Sequence, residues 1–183
     1  RKLDYDWLLF DLDGTLTDPG EGITRSVAYA LSKWGIEVRD RTALYCFIGP
    51  PLAESFSRYY GFSSEQAEEA VAQYRVYFRE RGMFENRVYD GVEPMLKALK
   101  KAGKRMFIAT GKPTVYARQI LEHFGLAEYF ECVCGIDLKE AATEKDELIS
   151  QVLSFANLAP EDCVMIGDRK FDIIGANKTG VTP

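Results

Sequence analysis

From residue 90 onward the apolar positions follow two alternating rhythms. Over Val92–Ala102 the apolar Val92, Met95, Leu96 and Leu99 recur at spacings of three and four, which predicts an amphipathic helix ended by Gly103. Arg105–Ala109 then reads as a buried strand, and Pro113 stands at the first position of a helix running through Val115, Ile120 and Leu121 to Phe124. The alternation continues with a strand at Glu131–Gly135, a helix at Thr143–Phe155 with Thr143 as N-cap, a strand at Cys163–Ile166 and a helix at Phe171–Lys178. Strands that are apolar throughout and alternate with helices imply an α/β fold whose parallel sheet is covered on both faces.

Trp7–Phe10 is one more strand of this kind, yet the next 75 or so residues carry helical patterns instead. Ile23–Lys33, Leu52–Tyr60 and Ser63–Arg81 are the candidates, the last opening on Ser-Ser-Glu-Gln, a capping signal. The contrast predicts an inserted helical domain at 18–88 within a core made of 1–17 and 89–183. Its hinges fall near Thr17–Gly20 and Asn86–Gly91. Gly180–Pro183 stands where a further strand would begin.

Composition narrows the classes of partner. With 46% hydrophobic and 28% charged residues the 183-residue chain is globular, and 23 Lys and Arg against 28 Asp and Glu leave it at −5 without a basic cluster, so nucleic acid is not expected. No apolar stretch approaches the roughly 20 residues that span a bilayer, and Arg1–Asp6 does not lead into a signal-peptide core. A cytoplasmic protein with no membrane partner is expected. Cys46, Cys132, Cys134 and Cys163 lack paired C-x-x-C spacing and read as reduced structural thiols, and the single His123 suits a helix C-terminus.

The chemistry gathers at strand ends. In Leu8-Leu9-Phe10-Asp11-Leu12-Asp13-Gly14-Thr15 a buried strand runs into two carboxylates at i and i+2, which alternation aims to one side at the strand's C-terminal end, where open α/β sheets hold ligands. Like charges so placed call for a cation or a proton between them. Gly167-Asp168 and Asp172 follow the strand Cys163–Ile166 in the same way, and Asp11, Asp168 and a backbone carbonyl make a hard oxygen set suited to Mg²⁺. Thr110-Gly111-Lys112-Pro113 offers a hydroxyl, a glycine and a helix start to an anion. Lys145 lies near a helix N-terminus, where the macrodipole does not favour it, and a bound phosphate gives it a purpose.

These four segments, in this order, resemble the four motifs of the haloacid dehalogenase superfamily: Asp11 to Thr15, Thr110-Gly111, Lys145, and Gly167-Asp168 through Asp172. The insertion after the first motif resembles the subclass I cap, and Asp18 through Gly22-Ile23 resembles phosphoglycolate-phosphatase-like members. The resemblance implies a Rossmann-like three-layer core with a small α-helical cap, and an Mg²⁺-dependent phosphatase acting on a small phosphorylated metabolite, as monomer or homodimer. It implies Asp11 as nucleophile, Asp13 as acid/base, Thr110 and Lys145 on the phosphate beside Gly111, and Mg²⁺ held by Asp11, the Asp13 carbonyl and Asp168, with Asp172 behind them. Gly49 and Leu52, in the Phe47–Leu52 loop of the cap, are expected to meet the leaving group. Dehalogenases of the superfamily typically lack the second aspartate, so Asp13 favours phosphoryl transfer. A phosphomutase and a non-catalytic phosphate or Mg²⁺ sensor are the alternatives.

Overall fold

The strand Trp7–Phe10 sends Leu8 and Phe10 to one side and Leu9 to the other, and all three are buried. That double burial dictates a sheet sandwiched between helices. The computed structural model describes residues 5–138 and 143–183. The first four residues, part of the predicted core domain and of the segment read against a leader, lie outside the described residues.

In chain order the elements are β1 (Trp7–Phe10), β2 (Thr17–Asp18), α1 (Gly20–Ser32), α2 (Leu52–Tyr60), α3 (Ser64–Glu80), β3 (Arg87–Val88), α4 (Val92–Lys101), β4 (Arg105–Pro113), α5 (Thr114–His123), β5 (Val133–Ile136), α6 (Lys145–Ala156), β6 (Cys163–Ile166) and α7 (Lys170–Thr179). The chain forms two compact units. One holds the residues up to Thr17 together with Val88–Pro183, and the other is Asp18–Arg87.

In the first unit β5, β4, β1 and β6 lie side by side in that order, all parallel, as the alternation of strands and helices predicts. One face packs Leu8, Phe10, Met106 and Ile108 against Val92 and Leu96 of α4 and Ala117 and Leu121 of α5. The opposite face packs Leu9, Phe107 and Met165 against Leu148, Ile149 and Val152 of α6 and Ala176 of α7. Each large aliphatic or aromatic side chain so buried contributes roughly 1.5–3 kcal/mol.

Several helix starts differ from the sequence reading: α1 begins at Gly20 rather than Ile23, and α7 at Lys170 rather than Phe171. Pro113 closes β4, paired with Ile136 in an extended conformation, and the helix begins at Thr114. The helix expected from Thr143 begins at Lys145, because Glu144 keeps an extended backbone and stands as the cap.

The second unit is helical, with α1, α2, α3 and a 3₁₀ segment at Arg41–Phe47. Its core joins Val27 and Leu31 to Phe47, Phe56, Tyr74 and Phe78, and the Phe47 and Phe56 rings meet at 5.0 Å between centroids. Ser63 and Gln66 form the capping box anticipated at the start of α3. Among the described residues no helix is long and apolar enough to cross a membrane.

Candidate active site

Asp11 leaves β1 at its C-terminal end, where its backbone N–H donates to Ile166 O at 2.9 Å and the residue is buried at 8% exposure. The chain then turns back on itself. The Leu12 carbonyl accepts from the N–H groups of Thr15, Leu16 and Thr17, and Gly14 takes a left-handed φ of 84°. A side chain at Gly14 would collide with the Asp168 carboxylate, so the turn needs glycine twice over, for its backbone and for the carboxylate it faces.

Lys145 is the first residue of α6 and reaches under the sheet edge. Its Nζ lies 3.1 Å from Asp11 Oδ1 and 2.7 Å from Asp172 Oδ1, and donates to Ala109 O at 3.0 Å. The position that looked unfavourable for a lysine is thus satisfied by two carboxylates and a strand-end carbonyl. Asp172, at 2% exposure, also accepts from the Arg169 backbone N–H at 3.0 Å. Two glycines make room for this: a side chain at Gly167 would run into Asp172, and one at Gly175 on α7 would press on Lys145.

Asp168 is exposed, accepting from Thr15 Oγ1 at 3.2 Å and pairing with Arg169 Nε at 3.2 Å. Asp11, Asp168 and Asp172 each present an oxygen to a common point, all within 4.8 Å of one another. Such a set fits a hard divalent cation. The charge balance agrees: the Asp11 carboxyl is pushed up to about 6, chiefly by burial and further by Asp172 and Asp13, with Lys145 and the Leu12 N–H only partly offsetting this. A divalent cation would offset the charge gathered by these side chains. Asp172, expected behind the ligands, stands with them. The Asp13 carboxylate lies outside the trio, which is compatible with Asp13 contributing its carbonyl.

Thr110, Gly111 and Lys112 lie where β4 loses register with β5. Ala109 pairs with Cys134 and Pro113 with Ile136, so β4 carries two more residues than β5 over this step. Thr110 is buried, Gly111 is exposed and Lys112 is buried again. Thr110 Oγ1 accepts from the Lys112 backbone N–H at 3.1 Å. Lys112 Nζ lies 2.9 Å from Asp13 Oδ2. The sequence reading missed this lysine, although the signal used for Lys145 applied to it as well, a cation just ahead of a helix N-terminus. Gly49, at φ 109°, and Leu52, the first residue of α2, belong to the other unit.

A buried aspartate after a parallel strand, a lysine anchored on it and an acidic trio are thus assembled from the four motif segments. The profile of the haloacid dehalogenase-like hydrolases matches residues 8–183. The chain belongs to this family. It is 49% identical over 179 residues to a 5'-nucleotidase of Pseudomonas aeruginosa, spanning 98% of this chain and 81% of that one. A tyrosine-protein kinase, PtkA of Mycobacterium tuberculosis, is 38% identical over 95% of this chain, which spans only 59% of the kinase's length. The crystal structure of a predicted phosphatase from Clostridium acetobutylicum superposes with a TM-score of 0.89 at 49% identity, covering 97% of this chain and 82% of that one. As a haloacid dehalogenase-like hydrolase, the chain presents at its strand ends a buried carboxylate, a lysine beside it and a second carboxylate two residues on.

Proposed function

We propose that this hydrolase cleaves small phosphate monoesters with Mg²⁺, through an aspartyl-phosphate formed on Asp11. The observation that carries the reading is the buried Asp11 carboxylate, held by Lys145 within a trio of acidic oxygens. A phosphate ester brings about two negative charges, so the residues around it must hold and screen them.

Thr110 Oγ1, the Gly111 backbone and Lys145 hold the phosphate oxygens. Asp11 attacks phosphorus in line, the ester P–O bond breaks, and Asp13 gives its proton to the departing alkoxide. Asp13, now ionised, takes a proton from the water that hydrolyses the acyl phosphate. Asp11, the Asp13 carbonyl and Asp168, with Asp172 beside them, would hold Mg²⁺, which when bound would supply charge neutralisation for the transferred group. The helical unit, 18–88, acts as a cap whose Gly49 and Leu52 select the leaving group.

The 5'-nucleotidase name of the P. aeruginosa relative supports nucleoside 5'-monophosphates as the first substrates to try. The test is phosphate release from nucleoside monophosphates, phosphoglycolate and sugar phosphates with Mg²⁺. Reductive trapping of an acyl phosphate on Asp11 completes it. Release from at least one ester with label on Asp11 is expected. Release without label on Asp11 overturns the covalent route, and no release from any ester overturns the reading.

A further inference from the structure

We infer that Lys112 is the positioning residue for Asp13, anchoring Oδ2 so that the carboxyl group is held in one orientation for proton exchange with the leaving group. The inference rests on the acid/base reading of Asp13 and adds the device that aims it. Three observations carry it. Lys112 is 8% exposed, and its Nζ lies 2.9 Å from Asp13 Oδ2. Asp13 Oδ1 is buried and, among the described residues, has no hydrogen-bond partner. Buried polar atoms in folded proteins are nearly always satisfied, and exceptions gather where a ligand or a reaction supplies the partner. One oxygen tied to a buried ammonium beside a second that is enclosed is the arrangement expected of a carboxyl group held in a single orientation.

The backbone explains why a lysine can reach this place. The two residues that β4 gains on β5 between Ala109 and Pro113 form an irregularity, and such irregularities re-aim side chains beside functional sites. In β4, Met106 through Thr110 are buried, Gly111 is exposed and Lys112 is buried. Gly135 of β5 passes so close that any side chain there would collide with the Lys112 carbonyl. The irregular segment is thus clamped from the β5 side by Gly135, while the Lys112 ammonium reaches Asp13. A two-point hold on Asp13, backbone at one end and Oδ2 at the other, removes the rotamer freedom that a carboxylate two residues past the nucleophile would otherwise keep.

The test compares Lys112→Met, Asp13→Asn and the double variant in single-turnover phosphoryl transfer, using an alkyl phosphate and an aryl phosphate with an acidic phenol. A donor matters most when the leaving oxygen is a strong base. Lys112→Met should slow the alkyl ester at least tenfold more than the aryl ester, and in the Asp13→Asn background it should add less than twofold. Equal losses on both esters, or losses that multiply in the double variant, overturn the inference. Asp13→Asn separately tests the underlying reading, because a loss independent of leaving group there removes Asp13 as the acid. A crystal structure of Lys112→Met decides the positioning role without substrate: the Asp13 carboxylate is expected to leave its present orientation, and an unmoved carboxylate overturns the role. Should the methionine variant fail to fold, Lys112→Gln, which keeps a donor but no charge, takes its place in both measurements.

Discussion

The two ends of the parallel sheet carry the same kind of chemistry in opposite settings. Where the strands begin, Arg105 forks onto Glu131 at 2.6 and 2.7 Å, and Lys104 meets Asp6 at 3.0 Å, with the Arg105 and Glu131 side chains about 40% exposed. Where the strands end, Lys145 binds Asp11 and Asp172, and Lys112 binds Asp13, with both lysines almost wholly enclosed. Water screens the first group, so each pair contributes about 0–1 kcal/mol. The second group is out of water, where an unmatched charge costs several kcal/mol and a matched one is held in a defined place. Geometry alone does not separate the ends, since the exposed pair is the shorter. Burial does, and it marks the end where charge is available for chemistry.

Removing charges one at a time breaks the comparison open, and the largest effect belongs to Asp11→Asn. Turnover should fall by about 10⁴-fold or more, the scale on which loss of an essential nucleophile is felt. The metal-free protein should become more stable, because a carboxylate that burial disfavours is gone. Steady-state assays and thermal melts in chelator check the two halves. A stability loss would mean that the Lys145 pair outweighs the burial cost.

Lys145→Met comes next. It leaves Asp11 and Asp172 facing each other without their cation, which should cost about 3 kcal/mol in urea unfolding and remove activity. Adding Asp172→Asn should restore part of the stability without restoring turnover.

The third effect is pH dependence in the absence of metal. The folded protein holds the Asp11 proton more tightly than the unfolded chain, about 6 against 3.8, so this group favours folding most below pH 3.8 and that contribution is lost as pH rises through 6. The stability of the wild type relative to Asp11→Asn should therefore fall between pH 4 and pH 7 by an amount on the order of 3 kcal/mol. Saturating Mg²⁺ should flatten the dependence. Chemical denaturation across this range measures it, and a rise with pH would reverse the sign assigned to burial.

Arg105→Gln is the control from the other end of the sheet. It should cost less than about 1 kcal/mol and leave turnover unchanged, although it removes two of the shortest hydrogen bonds in the protein. A loss as large as that of Lys145→Met would erase the distinction between the two ends.

Much of this was legible in the chain itself. Local chemistry decides where a buried strand stops, so Trp7–Phe10 and Cys163–Ile166 were read with their observed bounds, as was the helix Leu52–Tyr60. Once those strands are parallel, the carboxylates that follow them must meet at one edge, which is why the sequence predicts that Asp11 and Asp168 converge, whereas the placing of Asp172 with them rather than behind them comes from the tertiary structure. Other features depend on residues far apart in sequence and leave no local trace. The helix of Lys145 starts two residues later than Thr143 suggested, after an extended Glu144, and the partners of the Lys145 side chain, Asp11 and Asp172, are far from it in sequence. The glycines at 14, 167 and 175 look like ordinary turn or helix glycines, and only packing shows that each makes way for an acidic or basic side chain of the site. Lys112 is the clearest case. Its motif offered a helix start for an anion, whereas its actual partner, Asp13, stands 99 positions away and is reached only because β4 gains two residues on β5. Periodicity reports which face a residue takes along a regular strand, and it is silent where the strand stops being regular.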